Sequence, residues 1–168
     1  MADEKKVKYD VEGYDIITSA IRELVNQYPG LQDGEEIAFS VLGEDSGKAL
    51  FTLNGAVIES EKEDITGHVT QICSYPFTIV YRAARLSENR KADVKEWLDN
   101  LARWLKRQKV TLGDTEYCLS SYPTLTNGRK FTEFDQQTPG HLDSINENAS
   151  ENWIVQITAK YRNEFDKW

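Results

Sequence analysis

Hydrophobic residues recur with helical spacing near the start of the chain. Between residues 10 and 28 they form one predicted buried stripe, made of Tyr14, Ile17, Ile21, Leu24, Val25 and Tyr28. Asp10 is a typical N-cap residue, and the Pro29-Gly30 pair ends the pattern. We therefore predict a helix over residues 10–28.

A second helical pattern covers residues 88–109 and follows Ser87, another typical N-cap residue. Its predicted stripe consists of Val94, Trp97, Leu98, Leu101, Trp104 and Leu105. Two tryptophans one heptad apart share a face of the helix, so we predict that both lie in the core. The alternative is that they form a docking face for another subunit.

Alternation of hydrophobic and polar residues defines the longest predicted strand, His68–Ala84. Its predicted core-facing residues are Val69, Cys73, Tyr75, Phe77, Ile79 and Tyr81. A strand of this length spans about 55 Å at roughly 3.3 Å per residue. A domain of this size has a radius of gyration of only about 15 Å. The strand is therefore expected either to bend at Pro76, which has no N–H group to donate, or to extend beyond the body.

Shorter strands are predicted between the first helix and the long strand. Residues 36–42 and 48–53 are joined by the Gly- and acid-rich segment 43–47, which is typical of a hairpin loop. Asn54-Gly55 is a strong turn signal that predicts a second hairpin, with a strand at residues 56–62. The charged residues that follow cannot lie against a core, so residues 56–66 are predicted to project as an arm into solvent or towards a partner.

The last third of the chain is predicted to alternate strand and loop. Strands are expected at Thr115–Ser121, Lys130–Gln137 and Trp153–Arg162. The segment 138–152 is polar and rich in asparagine, which predicts a long loop. Together the patterns indicate a single α+β domain over residues 1–168. Its mixed or antiparallel sheet is packed by two main helices, with a projecting hairpin arm and loops, and residues 1–8 are expected to be a flexible tail.

The chain is acidic, with a net charge of −8. Binding to nucleic acid or to an anionic membrane depends on clustered cations, so this balance argues against either as the main partner. A local exception is the basic patch Arg103–Lys109 at the end of the second helix. It is interpreted either as cations that complement the helix dipole or as a minor contact with DNA or an acidic neighbour. The start of the chain has no apolar stretch typical of a secretory signal, and we expect a cytoplasmic protein.

Motifs typical of enzymes are missing from the sequence. It contains neither a P-loop nor a nucleophile elbow, and the two histidines, His68 and His141, lie far apart. The spacing of Cys73 and Cys118 fits no zinc site; we expect two buried small side chains, with a disulfide as the alternative. Acidic pairs such as Glu63-Asp64 do not match an EF-hand. We therefore expect no catalytic residue, metal or cofactor.

A binding or structural role is the remaining interpretation. The long strand, the arm and the polar loop 138–152 are features of proteins that order against neighbours in rings or joints. The candidate assembly residues are all charged and predicted to be exposed: Glu59, Glu61, Lys62, Glu63 and Asp64 in the arm, and Glu44 and Asp45 in the loop 43–47.

Several segments resemble a family of phage proteins. They are Asn26–Leu31, Gly43–Gly47, Gly55–Ser60, Asp64–Gln71, Tyr75–Phe77, Tyr81–Ala84 and Lys95–Leu98. Together they resemble the minor capsid or tail proteins found in phages and prophages of Firmicutes. The resemblance covers residues 20–110 well and the C-terminal third less closely. None of these segments is a chemical motif.

The order of predicted elements is also similar to that of tail terminator and tail completion proteins. This resemblance implies a ring, usually a hexamer, at the head-proximal end of a virion tail. The ring would cap the tail tube, end its elongation and provide the docking face for the connector. The implied partners are further copies of the chain, the tail tube protein, and the sheath and head–tail connector proteins. No membrane is implied, and DNA would at most pass through the ring. The alternatives are another head–tail joining protein, a monomeric regulator that binds one host protein, and an enzyme that would need His68 or His141.

Overall fold

Two helices and ten strands make up the fold in the computed structural model, which describes residues 6–168. The helices are α1 (Tyr14–Val25) and α2 (Glu88–Leu105). The strands are β1 (Lys8–Tyr9), β2 (Ile37–Phe39), β3 (Gly47–Thr52), β4 (Val57–Glu63), β5 (His68–Ala83), β6 (Val110–Leu112), β7 (Thr115–Tyr117), β8 (Arg129–Gln136), β9 (His141–Ile145) and β10 (Glu151–Asp166). Eight strands form one largely antiparallel sheet, and β6 pairs with β7 separately. The α+β prediction is confirmed.

The predicted helices are present but shorter than expected. Helix α1 begins after its N-cap residue Gly13, and Asp10 accepts from the Gly13 N–H at 3.1 Å as well as from a distant arginine. It ends at Val25, where the next residue turns to strand β2: the Asn26 amide accepts from the Ile37 N–H at 2.7 Å and donates to the Ile37 carbonyl at 3.1 Å. Helix α2 follows Ser87 as predicted and ends before Arg107, whose φ of 62° is left-handed.

A long two-stranded ladder forms the centre of the sheet. Strands β5 and β10 pair over 16 residues each, from His68 opposite Asp166 to Ala83 opposite Glu151. The predicted long strand is confirmed. One face of the ladder is covered by the helices, with Tyr75 and Phe77 fully buried and the Thr18 and Tyr75 hydroxyl oxygens 2.8 Å apart.

The two tryptophans of α2 differ in burial. Trp104 lies in the core, as predicted, whereas Trp97 is only half-buried. Trp97 donates its indole N–H to the Gly30 carbonyl at 3.1 Å and makes edge contacts with Tyr28 and Tyr81. These contacts attach α2 both to the loop after α1 and to β5.

Pro76 lies where the neighbour of β5 changes. Strand β4 pairs with β5 up to Ser74, and β3 begins to pair at Phe77. The Pro76 carbonyl accepts from the Leu53 N–H at 3.3 Å, on the side of β3 and β4. The N–H and C=O of a strand residue point the same way, so the nitrogen of Pro76 also faces this junction and the ladder with β10 is complete.

The predictions of two hairpins before β5 are both wrong. Strands β2 and β3 are parallel, because the chain leaves β2 through Ser40, whose φ is 56°, and loops back to start β3 beside β2. The Asn54-Gly55 turn does not pair β3 with β4; it moves the chain along the same edge of β5. The actual hairpin joins β4 to β5 through residues 64–67.

The predicted loop at 138–152 contains β9, which forms a hairpin with β10. Asparagine side chains order the turn: Asn148 Oδ1 accepts from the Ser150 N–H at 3.1 Å and Asn146 Nδ2 donates to Ser150 Oγ at 2.8 Å. The predicted strands at 130–137 and 153–162 are confirmed as β8 and a longer β10. Only the first part of 115–121 forms a strand, β7, and its partner β6 was not predicted.

The flexible tail predicted at residues 1–8 is only partly open to comparison. Residues 1–5 lie outside the described residues, and Lys8 pairs with Ile58 in β1, so the prediction is wrong there. Within residues 6–168, neither helix combines the length and the apolar character needed to cross a bilayer.

Candidate assembly surfaces

The first candidate surface is the acidic hairpin, defined as residues 59–68. Its predicted assembly residues are all exposed: Glu59, Glu61, Lys62, Glu63 and Asp64. Strand β1 covers β4 only at Val57 and Ile58. Beyond that point the outer edge of β4 has no strand partner in the described part of the chain. The hairpin therefore presents both charges and an unpaired strand edge.

Several of these charges are held by neighbours on the same molecule. Ser74 Oγ donates to Glu59 Oε1 at 2.6 Å, and Gln71 Nε2 donates to Glu61 Oε1 at 2.7 Å. Glu63 Oε2 lies 2.8 Å from Lys167 Nζ. Lys62 forms no ion pair within residues 6–168. The hairpin is thus an ordered part of the sheet rather than a free arm.

The tip of the hairpin combines an ordered turn with an exposed apolar residue. Asp64 accepts from the backbone N–H groups of Thr66 and His68 at 2.8 and 3.1 Å. Hydrogen bonds from Thr66 hold the pKa of Asp64 below its ordinary value. The side chain of Ile65 is 100% exposed, and Trp168 beside Gly67 is 81% exposed. The tip therefore exposes apolar side chains that are surrounded by carboxylates.

His68 lies at the base of this tip. Its Nδ1 is 2.8 Å from Asp166 Oδ1, and its Nε2 is 3.7 Å from Glu164 Oε1. The hydrogen bond to Asp166 raises the pKa of His68, and the nearby carboxylates Glu164 and Asp64 add to this effect. This histidine forms part of an ion cluster that joins β5 to the end of β10.

The second candidate set, Glu44 and Asp45, lies at the other end of the ladder. Both residues are exposed, and Asn148 Nδ2 donates to the Glu44 carbonyl at 3.1 Å and to Asp45 Oδ1 at 2.9 Å. The structure thus joins the loop 43–47 to the β9–β10 turn. It does not join them to the acidic hairpin: β3 meets β5 at Arg82, whereas β4 ends opposite Val69, a separation of about 43 Å at roughly 3.3 Å per residue.

A buried ion pair was not predicted. Arg129 donates to both carboxylate oxygens of Asp10, at 2.9 and 2.7 Å, and the Tyr161 hydroxyl donates to the same carboxylate at 2.6 Å. Burial alone would raise the pKa of Asp10, but these hydrogen bonds hold it below its ordinary value. The arrangement anchors the segment before α1 to β8 and β10. The sequence pattern predicted only a short-range role for Asp10, which its bond from the Gly13 N–H fits, and could not indicate Arg129, which is 119 residues away.

A basic cleft of about 590 Å³ was also not predicted as a unit. We define it by three cations and three hydrophobic or aromatic residues: Arg107, Lys130, Arg162, Tyr122, Leu125 and Phe131. Lys130 lies directly opposite Arg162 in the β8–β10 pairing. The guanidinium of Arg107 donates to the Ser120 carbonyl at 2.5 Å and lies 5.8 Å from the centre of the Tyr122 ring. The predicted basic patch 103–109 supplied Arg107 only.

The cysteines and histidines form no chemical centre with one another. Cys73 is buried, as predicted, and burial raises its pKa to about 11. Cys118 is exposed rather than buried, and the two thiols are free. His141 Nδ1 lies 2.8 Å from the Pro139 carbonyl. Within residues 6–168 no group of three or more His, Cys, Asp or Glu side chains is placed to hold a metal ion.

Comparison with known proteins found no matching protein-family model and no matching curated protein. The resemblance to phage minor capsid and tail proteins therefore remains a prediction from the sequence.

Proposed function

We propose that this chain is a non-enzymatic structural protein of a phage tail or a phage-tail-like particle. Copies of it form a ring, usually a hexamer, at the head-proximal end of the tail tube. The ring ends elongation of the tube and provides the docking face for the head–tail connector. The tube protein contacts one face of the ring, and DNA at most passes through it.

The observation that carries this proposal is the acidic hairpin. Its tip exposes Ile65 completely, although burying such a side chain is worth about 1.5–3 kcal/mol. The turn around it is nonetheless ordered by Asp64, so the exposure is not a consequence of a loose loop. Trp168, which is 81% exposed, lies beside Gly67 of the same turn. Ordered, exposed apolar side chains at the end of a long ladder are suited to contact with a neighbouring subunit.

The resemblance of residues 20–110 to phage minor capsid and tail proteins supports the same proposal. The acidic balance of the chain is compatible with it, since a negatively charged channel does not bind passing DNA. Another head–tail joining protein is the second candidate, because a minor capsid protein can occupy a different joint of the virion.

The test is electron microscopy of particles made with and without this protein. Overlong or headless tails after deletion, with a ring of density lost at the head-proximal end, are the expected result. Normal-length tails still joined to heads would overturn the tail-terminator proposal. Heads with no tails attached, and tails of normal length, would instead support the second candidate.

A further inference from the structure

The basic cleft holds three cations that have no carboxylate partner within residues 6–168. The ion pairs formed by this part of the chain include none of Arg107, Lys130 and Arg162. Lys130 and Arg162 are also directly opposed on neighbouring strands, and like charges in such a pair are destabilising. A negatively charged group bound between them would remove this repulsion.

The floor of the cleft is hydrophobic. Phe131 and Tyr122 pack against each other with ring centres 6.2 Å apart, and Tyr122 and Leu125 remain partly exposed. An occupant of the cleft would therefore combine an apolar side chain with carboxylates around it. The tip of the acidic hairpin has this composition, with Ile65 flanked by Glu63 and Asp64.

The hairpin cannot reach the cleft of its own molecule. Strands β4 and β8 lie on opposite sides of the β5–β10 pair in the sheet. The tip lies at the end of this ladder, with His68 still opposite Asp166, whereas β8 pairs with β10 only as far as Asn163. The matching surfaces can meet only between two molecules.

We propose that the acidic hairpin of one copy docks in the basic cleft of the next copy. Ile65 enters the apolar floor beside Tyr122 and Leu125, while Glu63 and Asp64 face Lys130 and Arg162. The two surfaces are different, so the contact is heterologous and repeats around a ring if it closes. This inference rests on the proposed function only in taking a second copy as the occupant.

Reversing the charge on each side of the proposed contact, singly and together, tests whether the contact forms. Sedimentation of the full chain is expected to show association that weakens as salt rises. Lys130→Glu and Glu63→Lys should each reduce the association constant by about tenfold or more, because each places like charges in the contact. The double variant that carries both changes should recover most of the loss. Arg90→Glu and Glu23→Lys, which reverse exposed charges elsewhere, are the matched controls and should leave association unchanged.

A covalent trap provides a second readout. In a Cys118→Ser background, Ile65→Cys and Leu125→Cys together should give disulfide-linked oligomers on mild oxidation. Ile65→Cys with Glu23→Cys should give none. A wild-type chain that stays monomeric up to about 1 mM, where contacts weaker than about −4 kcal/mol are lost, would overturn the inference. An association constant that neither charge reversal changes would also overturn the inference.

These outcomes are separable from failure of the proposed function. If tails become overlong on deletion but the charge reversals leave association unchanged, the ring forms through other surfaces and only the inference fails. If the double variant recovers association as expected but deletion leaves tails normal, the contact exists in an assembly of another kind.

Discussion

At the scale of single residues, the most constrained side chains are those of the buried ion pair, and one of them, Arg129, also lines the basic cleft. Asp10 and Arg129 are almost completely buried and satisfy each other's hydrogen bonds together with Tyr161. Sequence patterns did not identify this pair because capping rules consider only neighbours along the chain, whereas Arg129 belongs to another strand. The same limitation applies to the basic cleft, whose cations come from three separate segments.

Replacing Arg129 should destabilise the fold strongly. Arg129→Met leaves the Asp10 carboxylate buried without its partner, and the expected loss in free energy of unfolding is about 3–5 kcal/mol. Urea unfolding followed by circular dichroism measures it. Lys106→Met, at an exposed position, is the control and should change stability by no more than about 0.5 kcal/mol. A loss below about 1 kcal/mol for Arg129→Met would show that the ion pair is not needed.

His68 should make the hairpin tip sensitive to pH. Its raised pKa means that the bond to Asp166 stabilises the fold below the unfolded-state pKa and that this contribution is lost as pH rises through the folded-state pKa. NMR titration of the imidazole should give a midpoint above the ordinary value of 6.5. Asp166→Asn should lower that midpoint. An unchanged midpoint in Asp166→Asn would contradict the assigned cause.

At the scale of elements, hydrophobic periodicity predicted whether a segment is a helix or a strand, but it did not predict which strands pair. Helix α2 and strand β5 follow directly from their hydrophobic spacing, since each buries one face. The parallel pairing of β2 with β3 was missed, because alternation is the same whichever strand lies alongside. The β9 strand was missed because its asparagine-rich turn resembles a loop in composition.

Pro76 should be replaceable with little effect on stability. Its nitrogen faces the junction between β3 and β4, so Pro76→Ala is expected to change the free energy of unfolding by less than about 1 kcal/mol. Thr78→Pro is the contrasting variant, because it places a proline within the segment paired with β3. It should cost at least about 2 kcal/mol through an unpaired buried carbonyl. Equal losses in the two variants, measured by thermal and urea unfolding, would refute the junction argument.

At the scale of the whole molecule, the candidate assembly residues form two separate surfaces at opposite ends of one ladder. Such a division suits a subunit that contacts different neighbours with different faces. The sequence predicted which residues are exposed and charged. It could not predict that Glu44 and Asp45 join the β9–β10 turn, because that contact depends on the position of strands distant in sequence.

Reversing the hairpin charges should impair assembly without unfolding the domain. The triple variant Glu59→Lys, Glu61→Lys, Glu63→Lys is expected to weaken ring formation or tube capping, measured by particle yield and tail length. Because Ser74, Gln71 and Lys167 bond these carboxylates, circular dichroism and a melting curve must accompany the assay. The control triple Asp15→Lys, Glu23→Lys, Asp93→Lys makes the same charge change at exposed helix positions. Normal assembly and normal tail length in the triple variant of the hairpin would contradict the prediction.

The β5–β10 ladder also determines how the chain must fold. Its paired residues are 68 to 98 positions apart in the sequence. Most of the favourable contacts therefore form only after a long loop has closed, and folding is expected to be slow. Until β10 pairs, one long edge of β5 has no partner and can bind the same edge of another chain. Aggregation during synthesis therefore competes with native pairing, and lower expression temperature should raise the yield of folded protein.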